Sequence, residues 1–441
     1  MSSTTAKRFR YWQWRTILAT MIGYSLFYFV RKNLSVAMPG LQAEFGISKT
    51  QLGVFLTAHG IIYGVSKFLN GIIGDRVNSR RFMVAGLLLA SLCSIAFAFG
   101  PTIAAVVAGA GDGEKFFGAL VVCFGVIWVV NGWFQGMGFP PCARLITYWV
   151  PPAELATKMS VWNASHSIGA SFVVVLCGYV VAFGWRWCFW LPAAIAIAGA
   201  GGLWLALRDT PSSVGLPELP GAGKKAAATA AENENDTAAF KRFIRENVFL
   251  NPVVWIIGVG QFFVYVMRYA ILDWGPTFLG EHYGIPIKSS TWMTAGFEVA
   301  GIAGMLLAGW ATDRFFGGRA ARVCVLCMVL AVVFVLLFWL LPLPAPAMAV
   351  LLMAAGFCIY GPQALGGVIT ANIVTRRAAA TAIGFTSLFA YASTIVSGWG
   401  LGLLVEKYSW SHAFGVLCLT GLAGAAVFAL LWKTRRDAYG E

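Results

Sequence analysis

What most limits the possible folds of this chain is a series of apolar stretches, each about as long as a helix that crosses a bilayer. They run over 16–39, 51–72, 82–104, 119–149, 157–183 and 186–207, and after a polar interval over 251–280, 290–311, 321–342, 347–374, 378–404 and 411–433. A helix needs roughly 20 apolar residues to cross the hydrocarbon layer, where a barrel strand needs about 10. Inside that layer every backbone N–H and C=O must be paired internally, which helices of this length achieve by themselves. The expected fold is therefore an all-α membrane protein of twelve transmembrane helices, six and six. Composition agrees: the chain is 59% hydrophobic and 11% charged, where a soluble domain carries about 25% charged residues.

The interval at 208–250, containing "RDTPSSVGLPELPGAGKKAAATAAENENDTAA", reads as a flexible cytoplasmic linker that ends in a basic amphipathic turn, "FKRFIREN". It separates an N-terminal six-helix bundle at 1–207 from a C-terminal one at 251–441. The net charge of +14 suggests nucleic acid only until the charges are placed. With both termini cytoplasmic, Lys49, Lys115, Arg186, Lys288 and Lys407 fall on the outer side. Arg31, Lys32, Lys67 and Arg268 fall inside spans, and all other Lys and Arg fall inside the cell. That asymmetry is the positive-inside pattern, and it leaves no charge needing a nucleic-acid partner. The basic start "MSSTTAKRFRYWQWR" runs directly into the first span, so no cleavable leader is expected. Cys324 and Cys327 form a C-x-x-C within an apolar run and read as packing residues; no cofactor or metal set is expected. No nucleophile–base arrangement supports an enzyme.

The two halves repeat each other. "GIIGDRVNSRR" from Gly71 and "GWATDRFFGGR" from Gly309 both read G-x-x-x-D-R after the second helix of a half, with Asp75, Arg76, Asp313 and Arg314 as their charged pairs. Tyr28, Arg31 and Pro39 correspond to Tyr265, Arg268 and Pro276, so both first helices read Y-x-x-R-x(7)-P. "GWRWCF" from Gly184 and "SWSHAF" from Ser409 add a third echo. Three echoes in one order argue for a duplicated six-helix unit.

At this point the sequence resembles the major facilitator superfamily, over nearly its whole length. "RKNLSVAMP", "YGVSKF", "FQGMGFPPCAR", "WNASHSIG", "YVMRYAILDWGPTFL" and "YGPQALGG" are similar to the organophosphate:phosphate antiporter family, which includes glycerol-3-phosphate and hexose-6-phosphate transporters. The resemblance implies two pseudo-symmetric bundles around a central site that opens alternately to each side of a bacterial inner membrane. It implies that Arg31 and Arg268 bind phosphate and that His166 serves the substrate. It points first to glycerol-3-phosphate exchanged for inorganic phosphate, with hexose-6-phosphate or phosphoglycerate as alternative substrates. Phe139 departs from the tryptophan common in the glycerol-3-phosphate branch. The family also holds a sensor branch that detects sugar phosphate and signals to a membrane kinase, and a non-transporting sensor is the rival reading. The expected partners are the organophosphate, inorganic phosphate and the lipid bilayer; the expected state is a monomer.

The residues carry their own argument. Tyr24, Tyr28, Arg31 and Ser35 share one helical stripe; Gln261, Tyr265, Arg268 and Leu272 share the matching one. Two guanidiniums facing one cavity repel, and a phosphate accepts paired hydrogen bonds from each planar fork. Intramembrane cations exceed the anions Asp273 and Glu298 by two, close to the roughly −1.5 to −2 of a phosphate monoester. Lys32 either contacts substrate or pairs with Asp273 or Glu298. Lys67, in line with His59 and Tyr63, either lines the cavity or snorkels. His166 shares a stripe with Asn163 and is expected to donate to the substrate. Tyr24, Phe139, Tyr360 and Tyr391 are candidate wall residues. The G-x-x-x-D-R loops read as a latch that tunes which side is open.

Overall fold

Apolar runs that cannot pair their backbones with solvent become helices, and helix is what these stretches form. The computed structural model describes residues 3–74, 76–109, 113–219, 242–373 and 379–433, and no strand occurs among them. The first half contains α1 (Ser3–Phe29), α2 (Leu34–Phe45), α3 (Lys49–Gly74), α4 (Ser79–Ala98), α5 (Gly100–Ala108), α6 (Gly113–Gln135), α7 (Phe139–Trp149), α8 (Pro152–Asn163), α9 (Ser165–Val180) and α10 (Trp187–Ala206). The second contains α11 (Pro252–Tyr283), α12 (Ile287–Arg314), α13 (Ala320–Leu340), α14 (Ala345–Ile373), α15 (Ala379–Ala392), α16 (Leu401–Lys407) and α17 (Trp410–Ala429), with a π-helical turn, Ile395–Gly400, before α16.

Among the described residues, 11 helical stretches are long and apolar enough to cross a bilayer. They are the second to twelfth expected spans. The first span falls short for a local reason: α1 stops at Phe29, and the chain resumes as α2 only at Leu34. The two cations that raised the cost of burying this segment, Arg31 and Lys32, lie in the break.

The chain divides into two compact units. The described residues of Met1–Leu34, Ile62–Val173 and Phe183–Glu234 form one; those of Ser35–Ile61, Val174–Ala182 and Asn235–Glu441 form the other. Packing repeats between them. In the first unit α10 packs on α4 and α1, and α4 packs on α6; in the second α17 packs on α13 and α11, and α13 packs on α14. The repeated motifs thus accompany repeated helix pairs.

The stretch at 208–250 is ordered at both described ends, against the expectation of a flexible linker throughout. Leu216 is buried with Phe9 and Trp149, and the Trp149 indole donates to the Arg208 carbonyl at 3.0 Å. At the other end Ile244 and Val248 are buried against Val254 and Ala382, while Arg242 and Arg245 are exposed. A few apolar residues in a polar stretch are enough to dock its ends. Residues 220–241 lie outside the described residues.

Candidate anion-binding site

In the first unit three spans are interrupted near the same group of side chains. α1 and α2 are separated at residues 30–33, α6 and α7 at 136–138, and α8 and α9 at 164. Each break leaves backbone groups that need partners. At the first, the Arg31 and Lys32 N–H groups both reach the Tyr28 carbonyl, at 3.2 and 3.0 Å. Gln135 donates to the Val30 carbonyl at 3.4 Å, and the Asn33 amide donates to the Cys188 carbonyl at 3.0 Å and Ser94 Oγ at 3.3 Å. Side chains from the third and fourth spans and a backbone carbonyl from the sixth thus meet the unwound turn.

That turn places Arg31, 8% exposed, among aromatic rings. Its guanidinium carbon lies 3.9 Å from the Tyr63 ring centre and 5.3 Å from that of Tyr28. A cation over such faces gains about 0.5–2 kcal/mol when desolvated. Tyr28 neighbours the His166 ring, with centroids 5.9 Å apart. Tyr24 stacks on Trp162 at 5.0 Å, and its hydroxyl lies 3.5 Å from that of Tyr63. Phe139, at the start of α7, packs edge-on against Tyr24 and Trp162. The Lys67 ammonium sits 4.2 Å from the Phe139 ring centre, the inward of its two expected placements. Lys32 is buried in the same turn as Arg31.

His166 follows the break in the fifth span, and its Nδ1 is bonded to the Asn163 carbonyl. A carbonyl only accepts, so Nδ1 carries the proton. Nε2 of the neutral ring is then an acceptor, and it donates to a phosphate only as imidazolium. Asn163 meets His166 through its backbone carbonyl.

In the second unit α11 runs through Arg268 and Pro276 without interruption. Arg268 is 3% exposed. Its Nε donates to the Tyr360 hydroxyl at 2.8 Å, and a terminal nitrogen pairs with Glu298 at 3.3 Å. The Tyr360 ring centre lies 4.6 Å from the guanidinium carbon, with Tyr269 at 5.7 Å and Tyr265 at 5.8 Å. Glu298 and Tyr360 come from α12 and α14, which approach closely at Gly301: a Cβ there would lie 2.5 Å from the Tyr360 ring. Asp273 is buried one and a half turns beyond Arg268. A buried arginine without a counter-charge is costly, and Glu298 meets that need.

Each unit thus offers one buried arginine in a tyrosine cradle, at repeat-related positions. The Major Facilitator Superfamily profile matches residues 20–291 and 257–441. The chain belongs to the Major Facilitator Superfamily. It is therefore a transporter-fold, multi-pass membrane protein and not an enzyme. It is 36% identical over 428 residues to the glycerol-3-phosphate transporter of Bacillus subtilis (strain 168), covering 96% of this chain and 93% of that one. It is 33% identical over 426 residues to the membrane sensor protein UhpC of Escherichia coli (strain K12), covering 96% and 92%. The crystal structure of a D-xylose-proton symporter superposes with a TM-score of 0.68 at 16% identity, covering 97% of this chain and 99% of that one, which speaks for the fold alone.

Within this facilitator fold, the first unit brings together Tyr24, Tyr28, Arg31, Lys67, Phe139 and His166, and the second Tyr265, Arg268, Glu298 and Tyr360. Trp162 and Tyr269 escaped the sequence reading, and Tyr63 entered it only as a companion of Lys67. A signal existed: Trp162 precedes His166 by one helical turn, as Tyr63 precedes Lys67 and Tyr265 precedes Tyr269. At the motif loops Arg76, Asp313 and Arg314 are exposed, and Asp75 lies outside the described residues. The first loop is braced by Arg144, which donates to the carbonyls of Gly74 and Val77 at 2.6 and 2.5 Å.

Proposed function

We propose that this protein exchanges an organophosphate, glycerol-3-phosphate first, for inorganic phosphate by alternating access, with Arg31 and Arg268 together holding the phosphoryl group. The observation that carries this reading is the pair of repeat-related, buried arginines, each set among tyrosines. Planar guanidinium forks suit phosphate oxygens, and aromatic faces stabilise a buried cation. The glycerol-3-phosphate transporter relative at 36% identity supports the choice of substrate class. Glu298 acts as the internal anion for Arg268, and phosphate takes over part of that role on binding. Lys32, Asp273 and the G-x-x-x-D-R loops adjust charge balance and the open side. His166 either receives the proton of a monoprotonated phosphate on Nε2 or donates as imidazolium.

The deciding experiment loads proteoliposomes with inorganic phosphate and follows counterflow of labelled glycerol-3-phosphate, hexose-6-phosphate and phosphoglycerate. Exchange of one of them against internal phosphate is the expected result. The similarity to the membrane sensor protein favours a second reading, a sugar-phosphate sensor working with a membrane kinase. Saturable binding without exchange selects it.

A further inference from the structure

Where α1 begins and α10 ends, in the first compact unit, two cations share their surroundings. Arg15 and Arg208 both lie over the Trp12 ring, with guanidinium carbons 4.6 and 5.6 Å from its centre. Both donate to the Leu205 carbonyl, at 2.9 and 3.0 Å. Arg15 also donates to the Ala206 carbonyl and the Tyr11 hydroxyl, each at 3.0 Å, and Arg208 to the Leu207 carbonyl at 2.7 Å. Among the described residues no carboxylate pairs with either arginine. Asp209, next in the chain, accepts instead from the Ser79 N–H at 2.6 Å. The C-terminus of α10 supplies about half a negative charge, so most of the two positive charges stays unbalanced. A guanidinium carries five donors, and these bonds leave part of each fork open.

The arginines stand at the head of an apolar seam. Arg15 meets the last turn of α10, and Leu26 lies against Gly199, so the two helices run antiparallel. Beside this contact Leu18 and Ile22 of α1 and Leu205 of α10 are exposed. One turn before Leu205, Gly202 is exposed as well, and a Cβ there would meet nothing within 4 Å. The apolar runs of both helices end at this level, between Arg15 and Thr16 and between Leu207 and Arg208.

We propose that this seam binds an anionic phospholipid, with the phosphodiester held by Arg15 and Arg208 and an acyl chain lying along Leu18, Ile22 and Gly202. The phosphodiester supplies the missing negative charge and accepts from the open parts of two planar forks. The acyl chain covers the apolar strip, and the exposed Tyr11 ring sits at headgroup level. A zwitterionic headgroup brings its own cation and gains less from the pair. The second unit has only a single-cation counterpart: Arg322 lies 5.2 Å from the Trp432 ring centre and donates to that residue's carbonyl at 3.1 Å. The inference rests on the facilitator fold and not on the identity of the substrate.

Photo-crosslinking of the purified full chain in phosphatidylcholine nanodiscs tests it. Trace phosphatidylglycerol or phosphatidylcholine is added with the same photoreactive acyl chains, and labelled peptides are mapped by mass spectrometry. Phosphatidylglycerol is expected to label residues 16–22 and 198–206 several-fold more than phosphatidylcholine does. Arg15→Gln and Arg208→Gln each lower that labelling by roughly fivefold. Arg314→Gln with Arg322→Gln, which removes two charges from the second unit, leaves it unchanged. Gly202→Phe fills the open strip, spares both arginines and also lowers the labelling, so it serves if the arginine variants do not purify. Equal labelling by the two lipids, wild-type labelling in the Arg15, Arg208 or Gly202 variants, or an equal loss in the Arg314 and Arg322 variant overturns the proposal. So does displacement of the lipid by excess inorganic phosphate at matched ionic strength, which marks a site for free phosphate. Transport is not measured, so failure here leaves the exchange reading untouched.

Discussion

Arg31 sits where a helix stops, in a four-residue turn beside the rings of Tyr28 and Tyr63. Arg268 sits inside the unbroken α11, bonded to the Tyr360 hydroxyl and to Glu298. The two occupy the same place in the same Y-x-x-R-x(7)-P motif. The arginine and its tyrosine repeat, and their environments differ. Ring faces stabilise a desolvated guanidinium fork. A carboxylate and a hydroxyl engage that fork directly and fix its plane. The first position is built around a backbone interruption held by Asn33 and Gln135; the second is built around polar partners from α12 and α14.

Four experiments press on this difference. The largest effect is expected from the arginines themselves. Arg31→Ala and Arg268→Ala should each abolish phosphate exchange, through a lost charge-assisted contact worth about 1.5–3 kcal/mol, roughly 10- to 150-fold in affinity. Arg268→Ala should also lower thermal stability more, because Glu298 is left buried without its cation, at about 3–5 kcal/mol. Lysine should rescue Arg268 less well than Arg31. One ammonium cannot span Tyr360 and Glu298 as a fork does, whereas it can lie over a tyrosine ring. Equal rescue at both places, read as counterflow at matched expression, removes the distinction between the two sites.

Next is Glu298→Gln. Removing the internal anion should tighten equilibrium binding of inorganic phosphate by roughly tenfold and slow exchange, because release becomes harder. Unchanged affinity by calorimetry means Glu298 does not compete with phosphate. Tyr360→Phe follows, with a loss of about 1 kcal/mol, roughly fivefold in binding, as Arg268 Nε loses its hydroxyl partner. The smallest effect is expected from Tyr63→Phe. Tyr63→Phe keeps the ring face and should change binding by less than about threefold, while Tyr63→Leu removes the face and costs about 0.5–2 kcal/mol. A Tyr63→Phe protein as impaired as Tyr360→Phe would show that Arg31 depends on the hydroxyl after all.

Much of this architecture is written in local pattern. Span length, the polar interval and the repeated loops follow from hydropathy and spacing, since a bilayer imposes helices wherever about 20 apolar residues run together. Arg31 and Arg268 were legible for the same reason: a charge inside such a run is costly, and two at repeat-related positions are unlike chance. Tyr24, Tyr28 and Tyr265 followed from helical spacing to those arginines. Trp162 was obscured because one more aromatic residue in an apolar helix carries no signal until its neighbours are known.

Residue order alone dictates that this chain is a duplicated set of membrane helices with an arginine and a tyrosine set into the first helix of each half. Those properties depend on residues near one another in the chain, and a helix in lipid satisfies its backbone locally. Which arginine lies in a break, and which meets a carboxylate, depends on how the helices pack. The interruption after Phe29 is sustained by Asn33 reaching Ser94 and Cys188, and by Gln135 reaching Val30. The choice of Arg268 as the partner of Glu298, which charge counting offers equally to Lys32, depends on where α12 lies beside α11. Buried polar groups pair with whatever partner packing brings within about 3 Å, and that distance is set by helices far apart in the chain.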